Sequence, residues 1–388
     1  MPKGRLKIAY LSSNNPQDIH VWSGIHYSIF NSLKANAGEV VALGPYKNNF
    51  INLVLTCKKV YYKLLFNKRY NKYHSKLLAK TYANYFNKKL NESKYDLIVA
   101  ISASAELAYL KTNVPVVFMS DALFTSSLNY YTTLSSLCKA SLKEGYETES
   151  QALNKASLLY LPSNWVKHAA ISDFKIPESK IVIGPMGANL TNIPSKDFVL
   201  DYKNKKDNSF INLIFVGVNW ENKGGLKAYN CLLALLKAGH PSKLTIVGCT
   251  VPEEFKHEHL INIPFIKKTT VEGRKAFEDL YLNADFHILP TRFEAYGIVF
   301  CEASAYSVIN IATNTGGTST PIKEGENGIL MKEESTGEDY AQKISSIYSD
   351  KEVFKQLQVS SRKRYDDVLN WDIWAKNLNM ALEERKII

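Results

Sequence analysis

A chain of 388 residues, 45% hydrophobic and 22% charged, is long enough for two domains of ordinary size, each with its own core. It has no run of eighteen apolar residues, so no membrane-spanning helix is expected. Its five cysteines, at 57, 138, 231, 249 and 301, form no C-x-x-C pair and there are no clustered histidines, which argues for a reducing cytoplasm and against a structural metal. The net charge of +11 is lopsided: residues 1–195 carry 23 Lys and Arg against 11 Asp and Glu, and residues 196–388 carry 25 against 26.

The opening MPKGRLKIAYLSS turns from a short basic start straight into a strand-like run, without the long apolar core of a signal peptide. Leu6–Leu11 is the first strand candidate, followed by Val40–Leu43, Asp96–Ile101, Val114–Met119, Leu158–Leu161 and Lys180–Ile183, with helical patterns between them. Such alternation predicts a parallel sheet with helices on both faces. After the first strand, VWSGIHYSIFNSL sets Ser23 and Gly24 at a helix start, where a glycine lets the backbone approach a ligand. From Val40 to Asn91 there is no acidic residue, and lysines from Lys58 to Lys89 are interleaved with tyrosine and phenylalanine. Residues 58–89 then have two readings: a surface for an anionic membrane or a phosphorylated acceptor, or a solvated helix face whose aromatics belong to the core. Nucleic acid is not expected, since no recognised binding motif accompanies the charge. VFMSDALF ends a buried strand at Ser120 and Asp121. Asp121 either orients a hydroxyl or eases charge at a reacting carbon, or else caps the next helix.

Gly187–Asp207, polar and rich in lysine towards KNKKDNS, reads as an interdomain linker. The pattern restarts with strand candidates Ile211–Val216, Lys243–Val247, Leu260–Ile263, Asp285–Leu289 and Ile309–Ala312. FVGVNWENKGG joins the first of these to a helix. There Gly217 permits a tight turn and Lys223, at the helix entrance, can set its ammonium on a phosphate. At the end of the chain Trp371, Trp374, Leu378 and Leu382 stand at helical spacing.

The most informative segment is DFHILPTRFEAYGIVFCEASA. Glu294 lies at the carboxyl end of a strand and Glu302 more than one turn into the helix that Gly297 opens, so the two carboxylates are on the order of 10 Å apart. That is too far for a shared proton and suits one extended ligand held at both ends. The amides of Gly297, Ile298 and Val299 at the helix N-terminus favour a phosphate between them. A sugar at Glu294, a diphosphate over the helix start and a ribose at Glu302 describe a nucleotide sugar.

This segment resembles the E-x7-E signature of the family 4 retaining glycosyltransferases, and the likeness extends over nearly the whole chain. The resemblance implies a GT-B fold: two Rossmann-like, doubly wound domains facing a cleft, with a C-terminal helix crossing back to the first. The expected boundaries are 1–190 for an acceptor-binding domain, 208–368 for a nucleotide-sugar-binding domain and 369–388 for the returning helix. Phe215–Gly225 resembles the family's G-R-x(4)-K-G turn with Lys223 kept and Val218 at the arginine position; Arg292 is a candidate replacement. Thr313–Gly328 resembles the G-G-x-x-E loop, with Gly316 and Gly317 matching and Thr320 where glutamate is usual. The resemblance implies catalytic roles for Glu294 and Asp121, and donor binding by Gly24, Gly217, Lys223, Arg292, Gly297, Ile298, Val299 and Glu302.

The implied activity is metal-independent, retaining transfer of a hexose-like sugar from a nucleoside diphosphate sugar, UDP- or GDP-linked, without a cofactor. The acceptor is a hydroxyl of a cell-surface glycan or glycolipid, of the polysaccharide or lipopolysaccharide kind. The protein is expected in the cytoplasm or peripheral at the inner face of the membrane. Two alternatives stay open: a nucleotide-sugar epimerase on the same fold, and a non-enzymatic anionic-surface binding protein. Donor base, sugar, acceptor, linkage and oligomeric state are not encoded in any motif.

Overall fold

A computed structural model describes residues 5–128, 130, 134–191 and 193–388, so the first four residues of the basic start lie outside it. The chain divides into two compact units, Met1–Pro185 with Trp371–Ile388, and Met186–Asn370. The first unit contains β1 (Leu6–Leu11), α1 (Ile25–Asn36), β2 (Gly38–Ala42), α2 (Asn49–Phe66), α3 (Lys76–Leu90), β3 (Leu97–Ile101), α4 (Ser104–Ala108), β4 (Val116–Met119), α5 (Phe124–Ser127), α6 (Lys139–Lys155), β5 (Leu158–Leu161), α7 (Asn164–Ser172) and β6 (Ile181–Ile183). The second contains α8 (Lys196–Lys205), β7 (Ile211–Val216), α9 (Gly225–Lys237), β8 (Ser242–Val247), β9 (Leu260–Ile263), α10 (Val271–Asn283), β10 (Phe286–Leu289), α11 (Ile298–Ala305), β11 (Ile309–Thr313), β12 (Gly328–Met331), α12 (Gly337–Ser349) and α13 (Lys351–Asp367). α14 (Trp371–Glu384) belongs to the first unit again.

Each unit is a parallel sheet of six strands. The first has the order β2-β1-β3-β4-β5-β6 and the second β12-β11-β10-β7-β8-β9. The strands are short apolar runs buried on both faces: β3, β4, β5, β10 and β11 have no exposed residue. That is the pattern of strands with helices above and below. In each sheet the strand order reverses at one place, between β1 and β3 in the first and between β7 and β10 in the second. Loops leaving the carboxyl ends of such neighbouring strands diverge and leave a crevice, where ligands of open α/β sheets bind.

Two expectations need correction. Gly187–Asp207 is not a free linker, for it enters the second unit and forms α8, capped by the Ser195 side chain on the Phe198 N–H at 3.3 Å. Its lysines look solvated by composition, yet Lys203 is buried and donates to the carbonyls of Tyr281, at 3.1 Å, and Ala284. These carbonyls end α10, whose dipole favours a cation there. Lys206 pairs with buried Asp285 at 2.8 Å. Burial lowers the Lys203 ammonium to about 7.

The second correction concerns the aromatics of residues 58–89. Tyr70 and Phe86 are core residues, and Tyr85 stacks on Tyr46 with ring centroids 3.9 Å apart. For α3, therefore, the solvated-face reading holds, because its aromatic side faces inward. The α14 helix packs on α1. Trp374 is fully buried, Tyr160 donates to its carbonyl at 3.1 Å, and Ser32 donates to the Trp371 carbonyl at 2.6 Å. β12 is a strand that the alternation of apolar runs did not indicate, since NGILM is short and follows a turn-rich loop.

Candidate functional site

In the second unit the two loops at the strand-order reversal carry the residues of interest. The loop after β7 runs through Val218 and Lys223 to α9, and the loop after β10 runs through Arg292 and Glu294 to α11. They are sewn together by backbone: the Arg292 N–H donates to the Asn222 carbonyl at 2.9 Å, and Thr291 Oγ1 to the same oxygen at 3.2 Å. Gly224 makes this closeness possible. Its φ is +78°, and a Cβ there would stand 2.0 Å from the Pro290 carbonyl oxygen.

Lys223 Nζ and Glu294 Oε2 form an ion pair at 2.5 Å, both side chains largely shielded from solvent. The expected phosphate-binding and sugar-binding groups therefore engage each other. Val218, at the arginine position, is 84% exposed, while Arg292 is exposed one hydrogen bond away from the residue preceding Lys223. Gly217 has an ordinary backbone conformation, and its lack of a side chain leaves room for the Lys223 stem, whose Cγ lies 3.0 Å from where a Cβ would be.

Gly297 is the N-cap of α11 with φ +90°. A Cβ here would strike the Phe300 ring at 2.3 Å and approach Glu294 Cγ at 3.3 Å, so this glycine brings the Glu294 loop down onto the helix start. Ile298 and Val299 occupy the first turn, where amides precede the helix ladder. The Gly317 N–H donates to the Glu294 carbonyl at 3.1 Å, so the TNTGG loop braces this segment. Thr320, in place of the usual glutamate, receives Arg364 Nη2 on its carbonyl at 2.9 Å.

α11 is buried from Phe300 to Ala305 and carries one carboxylate there, Glu302, whose side chain is 3% exposed. Tyr281 Oη donates to Oε2 at 3.4 Å and Lys268 Nζ stands 3.8 Å from Oε1. Burial raises the Glu302 carboxyl above its ordinary range, against the opposing pull of Lys268 and Tyr281. Lys268 also lies over the Phe277 ring, 3.4 Å from its centroid. The motif reading did not single it out, because it sits in a KKTT loop before α10 with nothing in its neighbours to mark it.

The first unit has its own crevice at the β1/β3 reversal, a cavity of about 420 Å³. It is lined by Ser13, Ser102, Ser120 and Asp121 just past strand ends, with Trp22 from the turn before α1 and His74, Glu106 and Glu149. Both glutamates are buried. Glu106 Oε1 accepts the Ser13 N–H at 3.0 Å, while Glu149 accepts Ser104 Oγ at 2.7 Å and the Phe124 N–H at 3.1 Å. His74 Nε2 is 3.7 Å from Glu149 Oε2. Desolvation raises the Glu106 carboxyl. Asp121 does not cap the following helix, whose N-cap is Leu123.

Trp22, Ser23 and Gly24 hold three successive left-handed conformations, φ +48°, +54° and +84°. Two of these are strained for residues with a side chain, as often occurs beside binding sites. Glu106 and Glu149 were missed by motif reading. Their signals, a carboxylate in the short apolar α4 for Glu106 and one of several acidic residues on the long polar α6 for Glu149, are weak without knowledge of burial.

Comparison with known proteins finds a family match within the second unit. Residues 200–364 match the family model of the glycosyl transferases group 1. This group 1 segment contains Lys223, Lys268, Glu294 and Glu302 together. The capsular polysaccharide biosynthesis glycosyltransferase CapM of Staphylococcus aureus is 25% identical over 257 residues, 62% of this chain and 66% of that protein, a little short of two thirds of its length. Among solved structures, the sucrose-phosphate synthase of Thermosynechococcus elongatus superposes with a TM-score of 0.66 at 16% identity, covering 98% of this chain and 99% of that one. HepE of Anabaena, in complex with UDP and glucose, superposes with a TM-score of 0.62 at 14% identity over 98% of this chain and 100% of that one. The fold is GT-B, the group 1 segment being its second doubly wound unit. Among the described residues no helix is long and apolar enough to cross a membrane.

Proposed function

We propose that the chain is a retaining, metal-independent glycosyltransferase of family 4. It would move a hexose-like sugar from a UDP- or GDP-linked donor to a hydroxyl of a cell-surface glycan or glycolipid. The observation that carries this reading is the Lys223–Glu294 pair at the strand-order reversal, beside the N-terminus of α11 and inside the group 1 segment. In the bound state Lys223 leaves Glu294 for the diphosphate, and the freed carboxylate takes hydroxyls of the sugar. Arg292 and the amides of Gly297, Ile298 and Val299 complete the cradle for the anion. Glu302 receives the ribose hydroxyls, which requires Lys268 to move aside or to share them.

Little covalent work falls to the protein. The acceptor oxygen attacks the anomeric carbon on the face the diphosphate leaves, the carbon–oxygen bond to the diphosphate breaks, and the departing diphosphate oxygen takes the acceptor's proton. Lys223 and the helix N-terminus stabilise the charge that grows on the leaving group. The acceptor hydroxyl is assigned to the first-unit cavity with Asp121, whose neighbouring carboxylates favour neutral hydroxyls over phosphate there. The capsular role of CapM supports a surface glycan as acceptor, and the lysine-rich, acid-free run of residues 58–89 favours a peripheral position at the inner face of the membrane as part of this proposal.

The test is a thermal-stability screen of nucleoside diphosphates, followed by an assay for free nucleotide released from the stabilising donor. Release that depends on added glycan acceptor, with the donor's anomeric configuration kept in the product, supports transfer. An epimerised nucleotide sugar formed without free nucleotide would replace transfer by the epimerase alternative.

A further inference from the structure

α2 has three faces where a surface helix normally has two. With about 100° between successive residues, Ile51, Leu55, Lys58 and Tyr62 share one face, and these pack towards Tyr70, Leu78 and Cys138. Lys58 is held there by Glu144 at 2.7 Å and by Tyr70 Oη at 3.0 Å. A second face, about 100° round, carries Asn52, Thr56, Lys59 and Lys63. The third carries Phe50, Leu53, Val54, Val60, Tyr61 and Leu64, 71%, 62%, 38%, 49%, 50% and 77% exposed. The spacing of this third face is that of an ordinary buried stripe, yet it is exposed in this chain. Only Leu55 of the whole helix is buried.

We infer that this third face inserts into an anionic lipid surface, with α2 lying in the plane of the headgroups. Charge complementarity selects that occupant. No Asp or Glu occurs between Val40 and Asn91, so Lys59 and Lys63 beside the stripe, and Lys68 just beyond the helix, have no acidic neighbour in the segment. A second copy of this face would bring the same lysines together without a carboxylate to meet them, whereas phospholipid headgroups supply the anions. Phe, Tyr and Leu on one side with Lys at its edge is the composition of an interfacial helix. The inference sharpens the surface reading given above: attachment resides in α2, and α3, whose aromatics face the core, takes no part. It rests on the peripheral-membrane part of that reading and not on the transfer reaction.

The experiment uses the full chain with sedimentation on vesicles of phosphatidylcholine alone and of phosphatidylcholine mixed with phosphatidylglycerol. The parent protein should sediment with the mixed vesicles and not with phosphatidylcholine alone. Leu53→Ser with Leu64→Ser should lower that partition by on the order of ten-fold or more, and Lys59→Glu with Lys63→Glu should lower it and flatten its salt dependence. All forms should keep the parent's melting temperature and its stabilisation by nucleotide, so a failure of the transfer reading would show in the nucleotide measurement alone. A parent that sediments with neither vesicle, or a serine variant that sediments as the parent does, overturns the inference. So does a parent dimer in light scattering that the serine variant dissolves.

Discussion

Glu302 combines a cost to the fold with the ribose-binding role proposed for it. A carboxyl raised by burial holds its proton in the folded chain at pH values where the unfolded chain has lost it. The stability penalty is therefore absent below the ordinary carboxylate range, grows as pH rises through the window up to the raised value, and is complete above it. Glu302→Gln should accordingly melt higher than the parent at neutral pH and show no gain in acid, measured by calorimetric melting across that range. The same variant should bind nucleoside diphosphate more weakly by roughly 1–3 kcal/mol, since an amide accepts weaker hydrogen bonds from ribose than a carboxylate does. Stability gained with affinity unchanged would remove Glu302 from the ribose. The Lys223–Glu294 pair gives an opposite pair of outcomes. Glu294→Ala leaves Lys223 without this partner, so titration should show nucleotide affinity equal to or above the parent's while turnover falls. Lys223→Ala should lose roughly 1.5–3 kcal/mol of affinity, the value of a hydrogen bond to a charged group. Loss of affinity in both variants would reverse the placement of donor along the segment.

At the scale of elements, strand-to-helix turns do the positioning. Gly224 lets the loop after β7 touch the loop after β10, and no other residue fits its φ of +78° beside the Pro290 carbonyl. Gly224→Ala should cost at least about 2 kcal/mol, from the left-handed backbone and the displaced carbonyl together, and nucleotide binding should fall with it; melting and titration of the same preparation check both. Much of this was legible in sequence. β1, β5, β7, β9 and the cores of the other predicted strands follow from apolar runs of strand length bounded by turn residues, and Lys223, Glu294, Gly297 and Glu302 stand out by their distance from strand ends. Other features were not legible, because they depend on what a side chain meets in space. Lys203 and Lys206 look like linker charges and are held at the end of α10 and by Asp285. Glu106 and Glu149 come from α4 and α6, 43 residues apart in the chain, to one cavity. The aromatic run of α3 and that of α2 have similar composition, and only packing shows that one faces inward and the other outward.

Over the whole molecule, each unit holds one deeply buried histidine that burial keeps neutral. His26, bonded to Tyr10 Oη at 2.8 Å, and His287, 2.9 Å from Asn310 Oδ1, both have values lowered to about 4. The unfolded chain takes up these protons near pH 6.5 and the folded chain only near 4, so stability should fall as pH drops through that window and level off below it. His287→Asn should flatten that decline for the second unit, read by urea unfolding at pH 7 and pH 5. Charge divides differently: the excess of basic residues lies in residues 1–195, while residues 196–388, which include the group 1 segment, are nearly neutral. The proposed surface attraction and the proposed nucleotide binding should then be separable by substitution. The central claim is that the second unit grips a nucleoside diphosphate through Lys223 and Glu302, and isothermal titration of the full chain with UDP and with GDP tests it most directly. The account predicts one-to-one binding of at least one of them, weakened by Lys223→Ala and by Glu302→Gln but not by Glu294→Ala. Heat of binding absent for both nucleotides, or binding indifferent to Lys223 and Glu302, would contradict it.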